Sequence, residues 1–394
     1  MPHVVARPGL VTGARIAVLL AVVHAVNDVL LATVGALLPS LRTTFAASTT
    51  DLAVIVAVLT ISSSATQPVI GAFAERLGLR KVIATGVALA AVSMSLVGLA
   101  PGLGTLAVLL AVAGLGSAAL HPVAVSIVGS SASPNPGLAV GLFTAGGMAG
   151  FALGPVLVLW FVRSHGLEAS YWLMVPGLLA AVLLWYGLPD WSPHAATVRG
   201  QGTALLRAAP AVRWLLATSV IVNLVSLVVA SALPLWLVEA HGVRPDASLL
   251  GWVLGAYSLA AGVGAVAGGA LGGRTGYRSA TVASLLLALP AALALVVVPP
   301  GAGTVVLAAT AGALLYVSQP LLVVRAQALV PDAPVAAAGV VIGLGAGLAG
   351  ALYVLVGVAQ DAVGLGASLV AGGLLLLPAA AAAHVALGRA GGAR

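Results

Sequence analysis

Stretches of roughly twenty residues without a charged side chain follow one another along almost the whole chain, separated by short patches of Arg, Gly and Pro. About 20 apolar residues is the length of α-helix that crosses a bilayer's hydrocarbon core, and in lipid each spanning segment must satisfy its own backbone hydrogen bonds. A chain written this way folds as an all-α integral membrane protein. Charged residues are only 6% of the 394 and apolar ones 61%, against about a quarter charged in soluble domains. That excludes an ordinary soluble enzyme. A membrane β-barrel needs alternating apolar and polar positions, whereas Leu106 to Leu115 is apolar throughout.

The charges and Gly/Pro breaks leave room for twelve helices, predicted over 15–40, 50–73, 80–100, 103–128, 137–162, 169–188, 212–239, 248–271, 279–298, 302–328, 335–360 and 365–387. Lys and Arg near span ends are retained in the cytoplasm. With the amino terminus inside, thirteen of the 16 basic residues are cytoplasmic and only Arg42, Arg163 and Arg244 lie outside. Both termini are therefore expected in the cytoplasm. The first span holds His24, Asn27 and Asp28 and is too long for a cleaved signal peptide.

The chain also repeats itself. Adding 198 carries Gly71, Arg76, Gly78 and Arg80 onto Gly269, Arg274, Gly276 and Arg278, and Pro122, Pro136, Gly141 and Gly147 onto Pro320, Pro334, Gly339 and Gly345. The expected organisation is two pseudo-symmetric six-helix bundles, 1–188 and 212–394, joined by a polar cytoplasmic linker over 189–211. Parallel halves with a midplane site between them are an arrangement used by secondary transporters.

Other chemistries are poorly provided for. The chain has no cysteine, so no disulfide, thiolate nucleophile or Cys-ligated metal, and its seven histidines are scattered. A charge of +7 is too dilute for nucleic-acid binding. No metal, cofactor or nucleic-acid partner is expected, and the chain is expected to be a monomer and not an enzyme.

Ionisable groups inside spans are costly and point to function. His24, Asn27 and Asp28 share one helix face, and Asp28 is the only acid expected in mid-membrane. Desolvation disfavours its charged form, which suits it to load and release protons, with His24 as partner. Ser117 and His121 share a face of the fourth span, and the repeat places Gln319 before Pro320 as His121 stands before Pro122. With Asn27, Asn223 and Arg325 these are candidates to line a substrate cavity.

Between the second and third spans lie Gly71, Glu75, Arg76, Gly78, Arg80 and Lys81, and the fifth span carries Gly141, Gly150, Gly154 and Pro155. The first set resembles the loop signature of the major facilitator superfamily. The second resembles the helix-five signature of its proton-driven exporters, with Val158 in place of the trailing glycine. His24, Asn27, Asp28, Leu38, Pro39, Gln67, Pro68, Gly114, Gly116, Ser117, His121 and Pro122 together resemble the fosmidomycin-resistance branch, with Val123 and Ser126 where that branch has an acid and an arginine. The resemblance implies the major facilitator fold, a cytoplasmic latch formed by the loop residues, and export of antibiotics or other small molecules in exchange for protons. A proton-driven importer of a nutrient shares the same features; a non-transporting sensor is the remaining alternative. One lysine against fifteen arginines, with abundant Ala and Gly, suggests a GC-rich bacterium and hence a plasma-membrane location.

Overall fold

The computed structural model describes residues 10–130, 136–188, 210–331 and 333–388. All its regular elements are helical. The first part of the chain forms α1 (Leu10–Phe45), α2 (Thr49–Ser64), α3 (Gln67–Leu77), α4 (Leu79–Ser95), α5 (Leu103–Ala118), α6 (Leu120–Ser130), α7 (Pro136–His165) and α8 (Met174–Gly187). The second forms α9 (Arg213–Leu227), α10 (Leu233–His241), α11 (Ser248–Thr275), α12 (Tyr277–Ala294), α13 (Ala302–Tyr316), α14 (Ser318–Leu329), α15 (Pro334–Gly339), α16 (Gly345–Val363), α17 (Leu365–Leu374) and α18 (Leu376–Gly388).

Several stretches expected to be continuous are broken, and proline supplies the reason. A proline lacks an N–H and its ring collides with the carbonyl four residues earlier. Four residues before Pro68, Pro122, Pro320 and Pro378 stand Ser64, Ala118, Tyr316 and Leu374, the last residues of α2, α5, α13 and α17. Ahead of Pro234 the chain widens instead into a π-helical turn, Val228–Ala232, and a second π-turn, Val340–Leu344, precedes α16. Counting helices that run through such breaks together, ten stretches among the described residues are long and apolar enough to cross a bilayer. Those expected at 50–73 and 80–100 fall short, because α2 has 16 residues and α4 has 17.

The 198-residue repeat reappears in the backbone. Gly78 and Gly276 have φ of +96° and +85°, and Gly166 and Gly364, a pair the sequence comparison did not single out, have +85° and +86°. Each turns the chain between consecutive helices in a conformation that residues with a Cβ rarely adopt.

Three apolar cores hold the helices. One takes residues from both parts of the chain, from Leu30 to Leu41 of α1 through Val222 to Leu237 and on to Tyr353. The second lies wholly within 16–188 and the third wholly within 212–387. The two parts are thus fused toward the end of the molecule that carries Phe45, His241 and Val363, and have separate cores toward the end where α1 begins.

Cross-chain polar contacts reinforce the fused end. The Asp361 carboxylate, at the end of α16, accepts the backbone N–H groups of Thr49 and Thr50 at 2.9 Å each and their hydroxyls at 2.6 and 2.5 Å. It therefore caps the start of α2, where unpaired N–H groups and the helix dipole both favour an anion. Arg42 on α1 pairs with Glu239 on α10 at 2.5 Å.

Candidate functional site

One turn of α1 supplies three polar side chains, and α5, α6 and α7 close around them. His24, Asn27 and Asp28 are 6%, 3% and 2% exposed. The His24 ring stacks on Phe143 of α7 with centroids 4.1 Å apart, and its Nδ1–H donates to the Phe143 carbonyl at 2.8 Å. That bond fixes the tautomer: Nε2 is left facing Asp28 Oδ2 at 3.1 Å and His121 Nε2 at 3.1 Å. Asn27 Nδ2 donates to Asp28 Oδ1 at 2.9 Å and to Ser117 Oγ at 3.0 Å.

A bare Nε2 lone pair opposite a carboxylate oxygen is repulsive, so the contacts among His24, Asp28 and His121 are ones that a shared proton would stabilise. Among the described residues this is the one group of donor atoms close enough to hold a metal, all within 4.8 Å. Two of these contacts, from His24 Nε2 to Asp28 Oδ2 and to His121 Nε2, are at hydrogen-bonding distance, and His121 Nδ1 is buried without a hydrogen-bond partner among the described residues.

Room for this cluster comes from α7. A Cβ on Gly147 would lie 2.5 Å from His24 Nε2 and 2.9 Å from Asp28 Oδ2. Gly150 and Gly154, one and two turns on from Gly146, lie against the backbone of Ala25 and Val29, as Gly146 does against Ala21. The fifth-span glycines therefore bring α7 into backbone contact with α1, as small residues do in lipid. Gly141 lies outside the residues whose packing is described.

A cavity of about 290 Å³ opens one helical turn further along both helices. Leu31 and Ala32 on α1, three and four residues after Asp28, face into it, as does Phe151 on α7, four after Gly147. Residues 223–231, 254–258, Tyr316 and Ala346 supply the opposite wall. Two features of that wall were not read from the sequence: Tyr257, whose hydroxyl shares a 2.6 Å hydrogen bond with Ser226, and Tyr316, set edge-on to it at 6.5 Å.

Of the six residues expected to line a cavity, Asn223 does so. Asn27, Ser117 and His121 join the His24–Asp28 cluster instead. Gln319 and Arg325, half-buried on α14, line neither. Val123 is 1% exposed inside an apolar core, so a charge there would have no solvent; the Ser126 side chain lies outside the described residues. Ser62, Ser63 and Thr66 all return their hydroxyl hydrogens to carbonyls of their own helix.

The loop motif sits where α3 meets α4. Gly78 makes the turn, and a Cβ on Gly71 would meet Pro122 of α6 at 3.5 Å. Arg80 lies 5.5 Å over the Trp185 ring and donates to the Leu188 carbonyl at 3.5 Å, while Lys81 is exposed. The side chains of Glu75 and Arg76 lie outside the described residues.

Residues 20–358 match the family model described as Major Facilitator Superfamily. A search of curated proteins gave no match. Among solved structures, the chain is similar to a bacterial homolog of the human lysosomal transporter Spinster in an inward-facing, occupied conformation, at 19% identity and a TM-score of 0.74, covering 95% of this chain and 96% of that one. It is also similar to a point mutant of the nucleoside transporter NupG, at 12% identity and a TM-score of 0.76, over 95% and 99% of the two chains. At these identities the likeness concerns the fold. A family match over most of the chain, together with apolar helices of spanning length, shows a multi-pass membrane protein, and the chain belongs to the major facilitator superfamily.

Proposed function

We propose that the protein is a proton-coupled antiporter that exports small drug-like molecules by alternating access. It has twelve spans in two six-helix bundles, 1–188 and 212–394, joined by a linker over 189–211, with both termini in the cytoplasm of a bacterium. The observation that carries this reading is the buried 3.1 Å contact between His24 and Asp28, one helical turn from a cavity walled by both halves. Removing a proton shared at this contact would leave a buried carboxylate facing an imidazole lone pair, and α1 and α7 would readjust where the glycines of α7 leave no slack. The readjustment reaches Leu31, Ala32 and Phe151 in the cavity wall, which supplies a route from proton to substrate.

With the termini inside, the fused end is the outer one, and separate cores toward the cytoplasm correspond to an inward-facing state. His24, Asn27, Asp28, Ser117 and His121, which carry the resemblance to the fosmidomycin-resistance branch, are the residues that meet in the cluster, and this supports placing the chain near that branch. Glu75, Arg76, Arg80 and Lys81 with Gly71 and Gly78 would then latch the cytoplasmic face when the protein opens outward.

The test is proton movement driven by substrate in proteoliposomes under an imposed pH gradient, comparing wild type with Asp28→Asn over a panel of antibiotics and dyes. The proposal expects coupled movement in wild type and substrate binding without proton movement in Asp28→Asn. Equal coupling in both would overturn it, and substrate accumulating down the proton gradient would make the protein an importer.

A further inference from the structure

We infer that the central cavity takes an uncharged, compact small molecule with both polar and apolar faces. The inference rests on the reading that this cavity is the transport site. No Asp, Glu, Lys, Arg or His lines it among the described residues. Asp28, the nearest carboxylate along α1, is already engaged by His24 and Asn27, and Arg325 does not reach the wall. A charged ligand would leave water for a wall with no counter-charge, and burying an unpaired ion is among the largest penalties a site can impose.

The hydrogen-bonding groups of the wall narrow the class further. Thr60 spends its hydroxyl hydrogen on the Val56 carbonyl at 2.8 Å, and Ser63 spends its own on the Thr60 carbonyl at 3.2 Å. Asn223 commits its amide nitrogen to the Ser219 carbonyl at 2.8 Å and the Ser219 hydroxyl at 3.1 Å. What these three offer a ligand is oxygen lone pairs. The wall also carries hydroxyls, among them Ser64, Ser258 and the Ser226–Tyr257 pair, which can donate as well as accept, while Phe151, Leu227 and Leu254 are available to a flat or branched hydrocarbon face. An uncharged amide, alcohol or nucleoside meets both requirements, whereas a phosphonate brings negative charge to a wall without a cation among the described residues. The volume, about 290 Å³, lies near the lower edge of small-molecule sites, roughly 300–1,000 Å³, which favours compact ligands.

Binding to the purified full-length protein, read by quenching of its tryptophan fluorescence without any proton gradient, tests this. The probes are chloramphenicol and uridine as uncharged donors, fosmidomycin as an anion and tetraphenylphosphonium as a cation without donors. At least one neutral probe is expected to bind ten-fold or more tightly than either ion. Asn223→Leu should weaken that binding about ten-fold, the loss of one hydrogen bond, while Asn223→Asp, which puts a charge in the wall, should admit tetraphenylphosphonium. Failure of both neutral probes to bind, or an ion binding as tightly as they do, overturns the inference. Neutral binding with no proton movement would defeat the antiport reading and leave the ligand class standing; proton movement driven only by fosmidomycin would do the reverse.

Discussion

Gly147 and His24 are in such close register that the glycine's missing side chain is the space the imidazole occupies: a Cβ there would lie 2.5 Å from Nε2. The obstructing atom is the end of a side chain, held by a hydrogen bond and a stacking contact to Phe143 and by 3.1 Å contacts to Asp28 and His121. Gly147→Ala should therefore fold and reach the membrane, but with the ring pushed off Asp28. Substrate-driven proton movement in proteoliposomes should fall at least ten-fold while substrate binding stays within a few-fold of wild type. Wild-type coupling in this variant would show that the His24–Asp28 contact is dispensable.

Gly150 and Gly154 behave differently, because what faces them is backbone. A Cβ on Gly150 would lie 3.0 Å from the Ala25 Cα, and one on Gly154 would lie 2.5 Å from the Val29 carbonyl oxygen. A helix axis cannot swing aside as a ring can, so alanine at either position should separate α1 from α7. Overpacking of this kind costs about 1–3 kcal/mol. Thermal unfolding of the detergent-solubilised protein should shift down by several degrees for each variant, and by more than for Gly147→Ala.

The contrast between these glycines also marks how far the sequence could be read. Spans, repeat and proline breaks are written in residue types: Pro122 and Pro320 end α5 and α13 at Ala118 and Tyr316, positions that keep the 198-residue offset. His24 and His121 were each legible as costly polar residues, but their 3.1 Å meeting was not. Helix rotation in water is betrayed by the contrast between apolar and polar faces, and in lipid both faces are apolar. For the same reason Tyr257 passed as one more apolar residue, although its hydroxyl answers Ser226 across the cavity wall. Asp361 was not singled out at all, since its partners, Thr49 and Thr50, lie 312 and 311 residues away.

Arg42 and Glu239 bridge the same end of the molecule, with side chains 34% and 49% exposed. Exposed pairs are screened by water and salt and contribute about 0–1 kcal/mol. Glu239→Gln should leave transport and thermal stability close to wild type at physiological salt. A loss of several degrees in unfolding temperature would show that the pair is shielded in the membrane-embedded protein.

Asp361 is the stronger fastening because its two oxygens answer four donors at the start of one helix. Opening the cavity outward, in the topology proposed, must withdraw this carboxylate from Thr49 and Thr50 and uncover the first N–H groups of α2. Asp361→Asn loses the charge that the helix start favours and turns one amide group toward donors it cannot accept from. The closed outer end should therefore lose stability relative to the open one. The chain has no cysteine, so a single Ser63→Cys, in the cavity wall, reports access without further engineering. In intact cells a membrane-impermeant maleimide should label that cysteine several-fold faster when Asp361→Asn is also present, and Asp361→Glu should fall between the two. Equal labelling with and without Asp361→Asn would mean that the apolar core shared by the two halves, and not this cap, holds the outer end shut.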